Sequence, residues 1–151
     1  MSKKDKKLWI WILPVLMISF IWDNSLTVGA ASGSFSKEVA MFLLNIVEKT
    51  GFTISFDTFH FYVRKLAHFS EYFLLAVLVC SAANIAPIIK KKRLQPLPFW
   101  ILVPVIDETI QLFVPGRCGA LTDVCIDMTG FFFGALFTYI IILIIHDLTN
   151  G

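Results

Sequence analysis

Tyr62-Val63-Arg64-Lys65-Leu66-Ala67-His68-Phe69-Ser70-Glu71-Tyr72-Phe73-Leu74-Leu75-Ala76-Val77-Leu78-Val79-Cys80 places Arg64, Lys65, His68 and Glu71 at the head of an apolar run that continues to Ile89. On a helix, Arg64, His68 and Glu71 fall at i, i+4 and i+7, and Lys65, His68 and Tyr72 at i, i+3 and i+7. All five therefore share one broad face. Charged side chains inside lipid cost a few kcal/mol each even on lenient insertion scales, so they normally face a bundle interior or a wet cavity and pair with one another. A second apolar stretch carries Asp107, Glu108 and Gln111 in the same manner. Together the two stretches imply a polar site built between transmembrane helices.

Composition supports a membrane solvent. Hydrophobic residues make up 57% of the 151 and charged residues only 16%, and the mean hydropathy is +0.76, whereas about a quarter of a soluble domain is charged. The length holds one small bundle. The formal net charge of +2 comes from short basic runs beside apolar segments, where such runs set topology. No nucleic-acid partner is expected. Cys80, Cys118 and Cys125 show no zinc-type spacing.

Four apolar segments stand out, at 8–22, 66–89, 98–113 and 124–145. The second and fourth reach the roughly 20 helical residues that cross a bilayer core; the first and third must extend beyond these edges or end against a polar cavity. The expected fold is all-α, an integral membrane bundle of four transmembrane helices. Lys3, Lys4, Lys6 and Lys7 precede the first span, and Lys90, Lys91, Lys92 and Arg93 join the second to the third. The positive-inside rule then places both clusters, and both termini, in the cytoplasm of a multi-pass protein in the cell membrane. A competing reading takes the N-terminal lysines, the apolar run and Val28-Gly29-Ala30 as a cleavable signal peptide.

Between the first two spans, Ser36 suits an N-cap, Val39, Phe42, Leu43, Ile46 and Val47 follow helical spacing, and Gly51 suits a stop. This predicts an amphipathic interfacial helix over about 36–50. Phe56, Phe59, Phe61 and Tyr62 then form an aromatic belt at the re-entry.

Arg64 and Lys65 oppose the topology rule, which marks them as functional; the plainer alternative is that they snorkel to headgroups. At 1.5 Å per residue Glu71 lies roughly 9 Å below Lys65. Asp123, Asp127, Gly130 and Gly134 form a stripe on the last helix, with acids at its positive N-terminal end and glycines that permit close packing. Arg117, in the loop Pro115-Gly116-Arg117-Cys118-Gly119, either binds an anion through its fork or neutralises Glu108 or Asp123.

The runs Tyr62 to Leu75, Asp107 to Arg117, and Asp123 with Gly130 and Gly134 together resemble the VanZ-like family, over most of the chain from about Tyr62 to Tyr139. Asn24 and Ser25 match, more weakly, the family's polar end to its first helix. Asp127 departs from the pattern, since the family often has Asn there. The resemblance implies a small bacterial multi-span membrane protein; the family's namesake is associated with resistance to the glycopeptide teicoplanin. It implies no mechanism.

Three functions fit these residues. The first is an envelope protein that binds an anionic lipid-linked cell-wall precursor or lipoglycopeptide, held by Arg64, Lys65, Gln111, Arg117 and Asp123 and supported by Tyr72, Asp107 and Asp127, with membrane lipids as its other partners. The second is an intramembrane enzyme on such a lipid, with His68 and either Glu71 or Glu108 as general acid and base, although no nucleophile motif is present. In the third, the charges are an ion-pair network that only fixes helix packing. A metal held by His68, Glu71, Glu108 and Asp123 is conceivable, but pairing with Arg64, Lys65 and Arg117 accounts for the acids without one. No metal or other cofactor is expected.

Overall fold

The structure, a computed structural model, describes residues 8–150, with the side chains of residues 30–32 and 35 left aside. The basic N-terminal cluster at Lys3 to Lys7 lies outside the described residues. Among the described residues there are five α-helices and no strand: α1 (Ile12–Leu26), α2 (Gly29–Glu48), α3 (Phe56–Ile85), α4 (Pro96–Leu112) and α5 (Leu121–Asn150). Short 3-10 turns precede α1 at Trp9–Trp11 and α4 at Lys92–Leu94. Three segments are long and apolar enough to cross a membrane, Trp9–Leu26, Phe56–Ile85 and Leu121–Asn150. At 17 residues, α4 spans about 26 Å, slightly short of a full crossing.

Local chemistry sets these limits. The Ser55 side chain caps α3 by accepting from the Thr58 N–H at 3.3 Å, with Asp57 in the first turn, so the helix starts ten residues before the apolar run does. The charges at 57, 64 and 65 lower hydropathy but do not break a helix. Its end at Ile85 precedes Ala86-Pro87, where a proline disfavours helical geometry in the residue before it. Across the turn that follows, the Gln95 side chain accepts from the Ile88 and Ile89 N–H groups at 2.6 and 2.8 Å, and Pro96 opens α4 at a position where its missing N–H costs nothing.

The helix expected from Ser36 begins at Gly29 instead. Its cap position is Val28, without a side-chain bond; Ser36 lies inside the helix, where its hydroxyl donates to Gly33 O at 3.2 Å and meets His60 Nε2 of α3 at 2.8 Å. Nothing in 29–35 forbids the extra turns. The stripe Val39, Phe42, Leu43 and Ile46 stays exposed, whereas Ala40 and Leu44 are buried.

Packing of α3 against α5 dominates. Glycine's missing side chain is what permits it: a Cβ on Gly130 would lie 2.3 Å from Phe69 O, and one on Gly134 would lie 2.2 Å from Phe73 O. Partners therefore climb together along the two chains, so α3 and α5 run parallel. Trp11 Nε1 donates to Ala86 O at 2.8 Å and Asn24 donates to Glu71, which makes α1 antiparallel to α3. Ile21, Tyr72, Leu75, Ala76, Val79, Val103 and Phe131 form the core. In lipid, burying apolar surface drives little association, so close packing and interhelical hydrogen bonds must hold such a core together.

Candidate functional site

Four helices contribute polar side chains to one level of the bundle: Asn24 and Ser25 from the end of α1, Lys65, His68, Glu71 and Tyr72 from α3, Asp107, Glu108 and Gln111 from α4, and Asp123 and Asp127 from α5. Ser25, Tyr72, Asp107, Glu108, Gln111, Asp123 and Asp127 are all buried. Glu71 and Glu108, expected on different helices of one chamber, do reach the same polar layer. This layer sits away from the Lys90–Arg93 turn: even Tyr72, its member nearest that turn on α3, is 13 residues from Ile85, about 20 Å along a helix.

The acids are held in a specific way. Ser25 Oγ donates to Asp107 Oδ1 at 2.6 Å. Gln111 Nε2 donates to Glu108 Oε1 at 3.0 Å and more weakly to Asp107 Oδ2 at 3.4 Å. The Ala120 N–H donates to Glu108 Oε2 at 2.8 Å, a contact the preceding Gly119 makes room for, since a Cβ there would lie 2.5 Å from Glu108 O. Asn24 Nδ2 donates to Glu71 Oε1 at 3.2 Å. Lys65 forms an ion pair with Asp123 and lies over the Phe61 ring, 5.2 Å from its centroid. His68 Nδ1 stands 3.3 Å from Asp127 Oδ1.

This differs from the pairing expected of the sequence, in which Arg64, Lys65 and Arg117 together neutralised the acids. Lys65 pairs with Asp123. Arg117 reaches α1: its Nε donates to Thr27 O at 3.1 Å and its Nη2 to Asn24 O at 2.5 Å, so it satisfies the last carbonyls of α1, where a cation also complements the helix dipole. The loop reaches back this far because Gly116 adopts φ 77°, a conformation open to glycine, and because Gly29 donates to Pro115 O at 3.1 Å. Burial, and after it the neighbouring Arg64, pull the Arg117 guanidinium below its ordinary pKa. It remains a cation.

Above the acids lies a cavity of about 480 Å³, with His60, Arg64, Lys65 and Arg117 on its wall and Asp57 and Asp123 as its acids. None of His68, Glu71 or Glu108 lines it. A second cavity, of about 550 Å³ and mostly apolar, lies toward the opposite end between α4 and α5, where Trp100, Phe131 and Tyr139 meet Lys92, Arg93 and His146.

Two participants were faint in the sequence. Asn24 and Ser25 are a pair of small polar residues closing an apolar run, a pattern too common to assign to Glu71 and Asp107. His60 precedes Arg64 by one helical turn, and that spacing was its available signal. Ser25 offers a direct check on the network. Ser25→Ala leaves Asp107 without its closest donor and should lower stability in detergent by about 1–2 kcal/mol, measured by thermal unfolding; an unchanged midpoint would show that this hydrogen bond contributes nothing.

No curated protein and no solved structure matches the chain. A family model described as VanZ/LLP1 matches residues 9–143, a span that contains α1, α3, α4, most of α5 and the loop that carries Arg117. This chain belongs to the VanZ/LLP1 family.

Proposed function

We propose that this membrane protein binds the anionic group of a lipid-linked cell-wall precursor or a lipoglycopeptide in the pocket formed by His60, Arg64, Lys65 and Arg117. One observation carries the reading: two guanidiniums and an ammonium, Arg64 and Lys65 from α3 and Arg117 from the loop after α4, converge on one cavity of about 480 Å³. Convergence of like charges is unfavourable unless an anion joins them, and the arginine fork suits phosphate or carboxylate. Lys65 is already balanced by Asp123 and Arg117 donates to the Thr27 and Asn24 carbonyls, which makes Arg64 the main anchor. Because the pocket wall contains none of His68, Glu71 and Glu108, a ligand resting there touches binding residues rather than the suggested acid and base. That favours a binder over an intramembrane enzyme.

In this reading α4 also crosses the membrane, as a fourth span whose short length is tolerated because its end meets protein and polar groups instead of lipid. The turn at Lys90 to Arg93 and both termini face the cytoplasm, and the basic pocket opens to the other side. The exposed Val39, Phe42, Leu43 and Ile46 of α2 rest in the interface there. Through its ligand the protein contributes to tolerance of glycopeptides such as teicoplanin.

Binding of labelled undecaprenyl diphosphate to the purified protein in lipid nanodiscs tests this. Arg64→Gln should weaken it about tenfold, the equivalent of roughly 1.4 kcal/mol, without altering helical content. Equal binding by the variant and the parent protein refutes the assignment.

A further inference from the structure

We propose that His68, Asp107, Glu108 and Asp127 bind a divalent metal cation beneath the basic pocket. Each residue offers one ligand atom, and all four atoms lie within 4.8 Å of one another. Opposed ligands on a cation with bonds of about 2.0–2.2 Å lie roughly 4.0–4.4 Å apart. The four atoms are therefore within a few tenths of an ångström of one coordination sphere, a gap that small side-chain rotations close. Three helices supply them, so the arrangement is a product of the fold and not of one helix's periodicity.

An independent observation points into the cluster. Asp127 is 0% exposed, and among the described residues neither of its carboxylate oxygens has a hydrogen-bond donor. His68 Nδ1 is close to it, at 3.3 Å, but lacks the geometry of a hydrogen bond and is itself unsatisfied. Buried polar groups are normally paired, and a buried carboxylate without a donor is costly. Lys65, the nearest ammonium on the same face of α3, is committed to Asp123.

The other two acids show the complementary pattern. Ser25 holds Asp107, while Gln111 and the Ala120 N–H hold Glu108. Donors of this kind around metal-bound carboxylates fix their orientation, and their loss typically weakens metal affinity by about 10–100-fold. Asp127, fully buried and with His68 as its one close neighbour of opposite polarity among the described residues, suits the most direct ligand. One imidazole with three carboxylates suits Mn²⁺ or Zn²⁺ better than an all-oxygen set would. No metal is expected from the sequence, and the ligand set set aside there differs from this one: Glu71 is taken by Asn24 and Asp123 by Lys65, and Asp107 and Asp127 stand in their places. No residue of the set lines the basic pocket, so the inference does not depend on what that pocket holds.

The test uses the metal alone. Full-length protein in detergent, stripped with EDTA and dialysed against MnCl₂ or ZnCl₂, should take up about one ion per chain. Ion at a hundredfold excess over its Kd should shift the unfolding equilibrium about a hundredfold toward the folded state. Asp127→Asn and Glu108→Gln should abolish uptake, Ser25→Ala should weaken it about tenfold, and Arg64→Gln should leave it unchanged. No uptake of either ion by the parent protein overturns the proposal, even if both ligand variants fail to fold. So does uptake with undiminished affinity by a folded Asp127→Asn or Glu108→Gln variant.

Discussion

Gly134→Ala should lower the stability of the protein in detergent by about 1–3 kcal/mol, although alanine is the better helix former by about 1 kcal/mol. The added methyl would sit 2.2 Å from Phe73 O and 2.9 Å from Ala76 Cβ. Backbone cannot rotate away as a side chain can, so α3 and α5 must separate along their whole contact. Because α3 and α5 carry Lys65, His68, Asp123 and Asp127, the polar layer opens with them. Gly130→Ala, with its methyl 2.3 Å from Phe69 O, should behave alike, and the two together should prevent folding. Gly33→Ala is the control. Nothing lies within 4 Å of a Cβ there, so the same change on α2 should be neutral or stabilising. Unfolding of the three single variants side by side decides the matter: if Gly134→Ala matches Gly33→Ala, the close approach of α3 and α5 is not a determinant of stability.

The second large effect is expected at the Lys65–Asp123 pair. Its side chains are 23% and 10% exposed, so water screens neither fully. Lys65→Met leaves a buried carboxylate without its cation, a loss on the order of 3 kcal/mol. The double change Lys65→Met with Asp123→Leu removes both charges and their desolvation together, and it should recover most of that loss, because replacing a buried ion pair by packed apolar groups is often neutral or favourable. A double-mutant cycle on unfolding free energies reads the coupling directly. Additive single effects would mean that the two side chains do not depend on each other. Lys65→Met should also weaken anion binding, because it removes a cation from the wall of the basic pocket.

Much of the site is visible before any fold is known. His68, Glu71 and Tyr72 share a face because 3.6 residues make a turn, and they do lie on the side of α3 that meets the other helices. The spacing of Gly130 and Gly134 implied a close partner, and each packs on a carbonyl of α3. The amphipathic pattern of α2 does not by itself say which face packs inward. In a membrane protein the apolar face need not be the buried one, so Ala40 and Leu44 pack inward while the larger apolar side chains point away. Ser36 looked like a cap because serine usually is one. Small residues before it extend the helix instead, and its hydroxyl is used by His60 of the neighbouring helix.

By itself the sequence determined the solvent, the all-helical class, the faces that carry charge and the family, since each follows from composition or from a repeat internal to one segment. Tertiary structure alone decided the partners. That Lys65 takes Asp123, that Arg117 reaches the carbonyls of α1, and that Asp127 is left among His68, Asp107 and Glu108 all depend on the register of one helix against another. Register is set by contacts between residues far apart in sequence, such as those of Asn24 with Glu71, 47 positions apart, and Ser25 with Asp107, 82 apart. Helical periodicity relates neighbours within one segment and carries no information about that offset.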